Sequence, residues 1–153
     1  MNPRIDITKY LSSGIGRAMF NLSAEVESKL ERPLFELVKI RASQINGCAY
    51  CLVMHTNDAR KLGENDERMH LLNAWHEAPV FTERERAALG LVDAVTKIAE
   101  THVPDDVYEK ASEHFSEKEL VDLTAAIVAI NAWNRIAITF RSVPQLKTAK
   151  AAA

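Results

Sequence analysis

The chain has 153 residues, with 19 basic against 21 acidic side chains, a formal charge of −2 and a hydrophobic fraction of 47%. That is enough for one core without metal or disulfide staples. The near balance of charge and a pI of about 6.2 argue against a nucleic-acid surface or a polybasic membrane patch, both of which need concentrated positive charge. No apolar run is long enough to suggest a bilayer span. The polar start MNPRIDITKY lacks the basic flank and apolar stretch of a secretory signal, so the expected compartment is the cytoplasm.

Five Gly, five Pro and the lack of sustained period-2 alternation point to an all-α domain of about six or seven helices. Leu11, Ile15, Met19, Leu22, Val26 and Leu30 recur at helical spacing and predict a helix over Tyr10 to Leu30, weakened in its first half by Gly14 and Gly16. Pro33 suits a first helical turn, and the helix it opens continues to about Gln44. Asn46-Gly47 reads as its stop, because the flanks lack the strand pattern of a hairpin. The next helix is expected from about Cys48 to Leu62, closed by Gly63. A short helix follows over Asp66 to Trp75. Thr82-x-x-Glu85 and Ser116-x-x-Glu119 are capping boxes, opening helices through Ile98 and from Leu120 to Phe140. Pro104-Asp105-Asp106 starts a shorter helix that ends near Phe115. With no linker or repeat, residues 1–153 form a single domain, and about 145–153 read as a frayed tail.

Cys48, Cys51 and His55 stand at i, i+3 and i+7, one face of a helix. A free thiol titrates near ~8.5 and is mostly protonated at neutral pH. A neighbouring imidazole that takes its proton supplies a thiolate nucleophile. The helix N-terminus favours Cys48 as the thiolate, whereas His55 favours Cys51. Glu36 lies eleven residues before Gly47, and His55 eight after it. If the two helices pair antiparallel across that turn, these offsets are about 16 Å and 12 Å of axial rise. Glu36 then comes level with His55 and, partly buried, orients the imidazole. A zinc site would need Cys48, Cys51 and His55 plus His70 or His76, but structural zinc sites usually pair two ligand clusters and the second is missing. A thioredoxin-like motif would follow a strand, and none precedes Cys48.

Glu36, eleven residues, Cys48-Ala49-Tyr50-Cys51, three residues and His55 together resemble the signature of the AhpD-like alkylhydroperoxidases of the carboxymuconolactone decarboxylase superfamily. Ser43-Gln44-Ile45-Asn46-Gly47 and Glu77-Ala78-Pro79 with Thr82-Glu83-Arg84-Glu85 are also similar to its single-domain branch, and the motif core spans about 34–95. The resemblance implies an all-helical fold with the CxxC at the N-terminal end of a central helix, and assembly into homotrimers or hexamers. It implies a thiol peroxidase that reduces alkyl hydroperoxides without a cofactor or metal. Carried onto matching positions, Cys51 is the peroxidatic thiolate, Cys48 the resolving cysteine, and Glu36 with His55 the proton relay. The implied reductant is a thiol or dihydrolipoyl-type protein; neither nucleic acid nor membrane is an expected partner. One position departs: family members carry His just before the second Cys, where this chain has Tyr50, an accessory candidate that does not ordinarily titrate near neutrality. A decarboxylase or isomerase on the same fold is the alternative, although it leaves the cysteine pair no task. A general disulfide oxidoreductase or redox sensor is another.

Elsewhere, Trp75, Trp133, Phe20, Phe35 and Phe140 read as core or subunit interface. Leu52 and Met54 are expected to pack behind the cysteine helix. His102 and His114 read as surface, and Asn131, Asn134 and Arg135 as caps or inter-subunit contacts.

Overall fold

A computed structural model of the chain describes residues 2–12, 14–144 and 146. Among these the regular structure is helical throughout: α1 (Thr8–Leu11), α2 (Gly14–Glu27), α3 (Arg32–Asn46), α4 (Ala49–Lys61), α5 (Asp66–Leu71), a 3₁₀ turn (Leu72–Ala74), α6 (Glu83–Thr96), α7 (Ile98–Thr101), α8 (Asp105–Ser112) and α9 (Glu117–Phe140).

Helix α3 is the hub, packed against α4, α6 and α9. Leu34, Val38 and Ala42 lie at i, i+4 and i+8 and meet Ala88 and Val92 of α6 and Leu123, Ile127 and Ile130 of α9. Leu37 and Ile40 sit beside that stripe and join a second cluster with Leu72, Trp75, Phe81 and Leu89. A helix apolar on two sides is one buried between layers. The buried charge on its α6 side is paired. Arg41 binds both carboxylate oxygens of Asp93 on α6, at 2.7 and 2.8 Å, and Trp75 Nε1 donates to the same Asp93 at 3.3 Å.

Both capping boxes form as predicted, with Thr82 and Glu85 opening α6 and Ser116 and Glu119 opening α9. Pro33 lies in the first turn of α3, and Gly63 takes a positive φ just beyond α4. The differences are local. The helix expected over Tyr10 to Leu30 divides into α1 and α2. Gly16 lies so close to the backbone of Leu11 that a Cβ there would collide with it, and this approach folds α1 onto α2. The apolar periodicity of that segment reaches the core only at its end, through Val26 and Leu30, while Ile15 is 81% exposed. The helix expected through Ile98 ends at Thr96, where Lys97 leaves helical geometry and α7 restarts as a single turn. His114, expected at the surface, is half-buried, with its Nε2 shielded and unpartnered. Met54 is exposed rather than packed. The expected tail, about 145–153, lies outside the described residues except for Leu146.

Helix α9 is, by length and composition alone, apolar enough to cross a membrane, with a mean hydropathy of 1.3, which amends the expectation that no segment is. In this fold it is the long core helix, and the polar residues that interrupt it clamp the chain internally. Asn46 Nδ2 donates to Asn131 Oδ1 and Asn134 Oδ1, both at 2.9 Å. Asn134 Nδ2 donates to Ser43 Oγ at 3.1 Å, and Asn131 Nδ2 to Thr96 Oγ1 at 3.0 Å. Arg135 binds Asn131 Oδ1 at 2.9 Å. These are bonds within the chain, from α9 to the end of α3, to the end of α6 and along α9 itself, where caps or inter-subunit contacts were expected.

Two outcomes follow from these contacts. Asn134→Ala leaves buried Ser43 without its Asn134 donor and takes one of two acceptors from Asn46, and should lower unfolding free energy by about 1–3 kcal/mol in urea titration. Glu119 is held down to about 2, first by the Ser116 backbone N–H, then by its hydroxyl and by Arg84. A depressed carboxyl contributes stability that is present above its ordinary value of 4.5 and lost as pH falls through the folded value. Glu119→Gln should therefore have a lower Tm than the parent at neutral pH. The gap should close between pH 4.5 and 2 and stay modest, because the side chain is partly solvent-screened.

Candidate functional site

The site is built where α3 hands over to α4. Helix α3 stops because Gly47 adopts a left-handed conformation, φ 68°, ψ 33°, which glycine reaches without a Cβ penalty. Gly47 N–H donates to Gln44 O and Cys48 N–H to Ser43 O, at 3.2 and 3.0 Å, the paired bonds of a Schellman stop. Cys48 then becomes the N-cap of α4, its sulfur accepting the Cys51 backbone N–H at 3.3 Å. The pair is joined as a disulfide, with a Cα separation of 5.4 Å. Each cysteine is only 1% exposed and belongs to the main core cluster.

Helix α4 doubles back along α3, and the axial offsets predicted from the turn are realised. His55 Nδ1 lies 3.2 Å from Glu36 Oε2, with Glu36 3% and His55 6% exposed. An imidazole whose Nδ1–H is held by a buried carboxylate presents Nε2 as its proton acceptor, and His55 stands one turn beyond Cys51 on the same helix. All four residues singled out from the sequence, Glu36, Cys48, Cys51 and His55, thus converge on the α3–α4 pair. Tyr50 sits on the outer side of the first turn of α4 and is exposed, as is Met54 one turn on. His76 is elsewhere, stacked on Trp75 and 3.8 Å from Asp93. His70 is exposed on α5.

Two residues at the site carry signals that sequence reasoning passed over. Lys39, three residues after Glu36, places its Nζ 2.7 Å from Glu36 Oε1. Asp58, three residues after His55, brings a carboxylate oxygen to within 4.8 Å of the Glu36 and His55 ligand atoms. In both cases the i, i+3 offset on a helix was the available cue. Glu36, His55 and Asp58 have donors suited to a divalent cation. The positive charge already there is ammonium: Lys39 on Glu36 and Lys61 on Asp58, the latter at 2.6 Å.

The pattern of the carboxymuconolactone decarboxylase family matches residues 14–94. The chain is 41% identical to the uncharacterized protein YdfG of Bacillus subtilis (strain 168) over 138 residues, covering 90% of this chain and 94% of that one. Among solved structures it resembles an Agrobacterium tumefaciens protein of unknown function, offered as an antioxidant defence protein of the AhpD type. That similarity has 47% identity, a TM-score of 0.90 and coverage of 95% of this chain and all of the other. In fold alone it is similar to an uncharacterized peroxidase-related protein from Silicibacter sp. TM1040, at 24% identity, a TM-score of 0.75 and coverage of 86% and 70%. The matched family pattern contains the turn, the cysteine pair and the Glu36–His55 contact, and this chain belongs to the carboxymuconolactone decarboxylase family, in its AhpD-like branch.

Proposed function

We propose that this protein is a two-cysteine hydroperoxide reductase. The observation that carries the reading is the buried Glu36–His55 pair, 3.2 Å apart, on the helix face that bears the cysteines. In the reduced protein, His55 takes the Cys51 proton, and Glu36 holds the imidazole in the tautomer that can accept it. The thiolate attacks the terminal oxygen of a hydroperoxide, and the O–O bond breaks. The sulfur takes up the terminal hydroxyl oxygen and becomes a sulfenic acid, and the departing alkoxide takes the proton from His55 to become an alcohol. The Cys48 thiol then condenses with the sulfenic acid, releasing water and forming the Cys48–Cys51 disulfide. A dithiol protein, of which a dihydrolipoyl carrier is the type implied by the resemblance, reduces that disulfide by exchange and is itself oxidised. Tyr50 and Met54, neighbours of Cys51 and His55 in the sequence, are exposed and are candidates to meet a substrate or reductant.

The protein acts as a homo-oligomer in this reading. Ile15, Phe20 and Leu22 of α2 are exposed, and a groove lined by Leu22, Tyr108, Val121 and Val128 continues the apolar surface. Such a patch is what a second subunit covers.

A second reading has its own observation. Cys48 caps α4, and a sulfur at a helix N-terminus is favoured as thiolate. That suits a general disulfide oxidoreductase with Cys48 as nucleophile. The two readings separate on variants assayed for peroxide consumption with dihydrolipoamide as donor. Cys51→Ser should consume none, while Cys48→Ser should react once and stall as a sulfenic acid detectable with a dimedone probe. A Cys48→Ser protein that does not react at all would assign the nucleophile to Cys48. Glu36→Gln should remain folded but lose about 10²-fold or more in the rate of peroxide consumption. An unchanged rate would remove Glu36 from the mechanism.

A further inference from the structure

Lys39 is not placed as a surface lysine. Its side chain is 13% exposed, its Nζ lies 2.7 Å from Glu36 Oε1, and the ammonium rests 4.0 Å above the centroid of the Phe35 ring. Phe35 is itself buried. The ammonium is therefore fixed by a ring face and a carboxylate at once. Glu36 has two oxygens with two partners: Lys39 on Oε1 and His55 on Oε2. We propose that Lys39 is a positioning residue of the thiol centre, pinning Glu36 as a carboxylate turned towards His55 so that the imidazole keeps Nε2 free for the Cys51 proton.

The physical case is one of charge and geometry together. A carboxylate 3% exposed is costly to hold without a hydrogen-bonded counter-charge. His55 alone cannot supply that charge while neutral, and neutral is the state in which it can accept a proton. A permanent cation on the far oxygen resolves the conflict, since the pair stays satisfied whether or not His55 carries a proton.

The surrounding charges do not replace it. From α4 the groups facing the pair are His55 and Asp58, the latter bound by Lys61. On α6, Asp93 is bound by Arg41, Arg84 by Glu31 and Glu119, and Arg86 by backbone carbonyls. The 3₁₀ turn contributes only neutral Asn73. On α9, Arg135 is engaged with Asn131. Lys39 is the cation bonded directly to Glu36 among the described residues.

The inference rests on the peroxidase reading for the role of Glu36 and His55, and its test does not use peroxide. Reduced protein is alkylated with iodoacetamide across pH, and the rate at Cys51 is followed by mass spectrometry. Lys39→Met keeps the stem over Phe35 and removes the charge. The unpaired carboxylate then loses the contact that fixes it and turns away, and His55 loses its orienter. The expected result is a pH–rate profile displaced to higher pH, with about tenfold slower alkylation at neutral pH. Lys39→Arg should restore most of the parent profile. In the Glu36→Gln background, Lys39→Met should add no further displacement, because the two act through one contact. A Lys39→Met profile that superimposes on the parent overturns the proposal. Equal displacement by Met and Arg overturns it too, since it would show a packing effect rather than a charge. Failure of the peroxidase reading would show separately, as wild-type protein that consumes no peroxide while its alkylation profile still depends on Lys39.

Discussion

The site depends on one backbone event, the left-handed turn at Gly47. It ends α3 with its last carbonyls satisfied, sets Cys48 at the N-cap of α4, and aims α4 back along α3 so that residues eleven before and eight after the turn meet. A side chain with a Cβ at φ 68° would strain that turn by roughly 1 kcal/mol. The larger effect would be on register, since a one-residue slip rotates His55 by about 100° around α4, away from Glu36. Helix α9 holds the turn from the other side through Asn46, Ser43, Asn131 and Asn134.

Around this turn the fold solves an electrostatic problem. Glu36 and His55 are both buried beside the cysteine pair, 3.2 Å apart. Burial alone would disfavour that carboxylate's charge. Lys39 answers on α3 with an ion pair to the oxygen that His55 does not use. Asp58 and Lys61 form a second, more exposed pair on α4. The arrangement is pre-formed, which under the proposed mechanism leaves little reorganisation for a proton transfer.

Legibility in the sequence followed the range of the interactions. Helix ends written in local chemistry were readable: Pro33, Gly63, the Thr82 and Ser116 boxes, and the Gly47 stop. The Glu36–His55 pairing was readable because a short turn fixes how two helices lie together. The break between α1 and α2 was not, because it follows from the approach of Gly16 to Leu11, while the apolar periodicity runs on past it. That same periodicity pointed to a buried stripe, yet Ile15 has no cover within the chain, since period alone does not say what a face packs against. The purpose of Asn131 and Asn134 was hidden for a related reason. Their partner Asn46 is 85 and 88 residues away, and only the packing of α9 on α3 brings them together. Lys39 escaped notice because an i, i+3 ion pair on a helix is usually a solvated one, and burial is what distinguishes this one.

The central claim is that the buried pair Cys48 and Cys51 is a redox centre driven by peroxide. Its most direct test is the intact mass and free-thiol count of reduced, metal-free protein after one equivalent of hydroperoxide. The account predicts loss of both thiols with loss of two hydrogens, and no retained oxygen, because Cys48 resolves the sulfenic acid as water. Two thiols surviving at unchanged mass would contradict it.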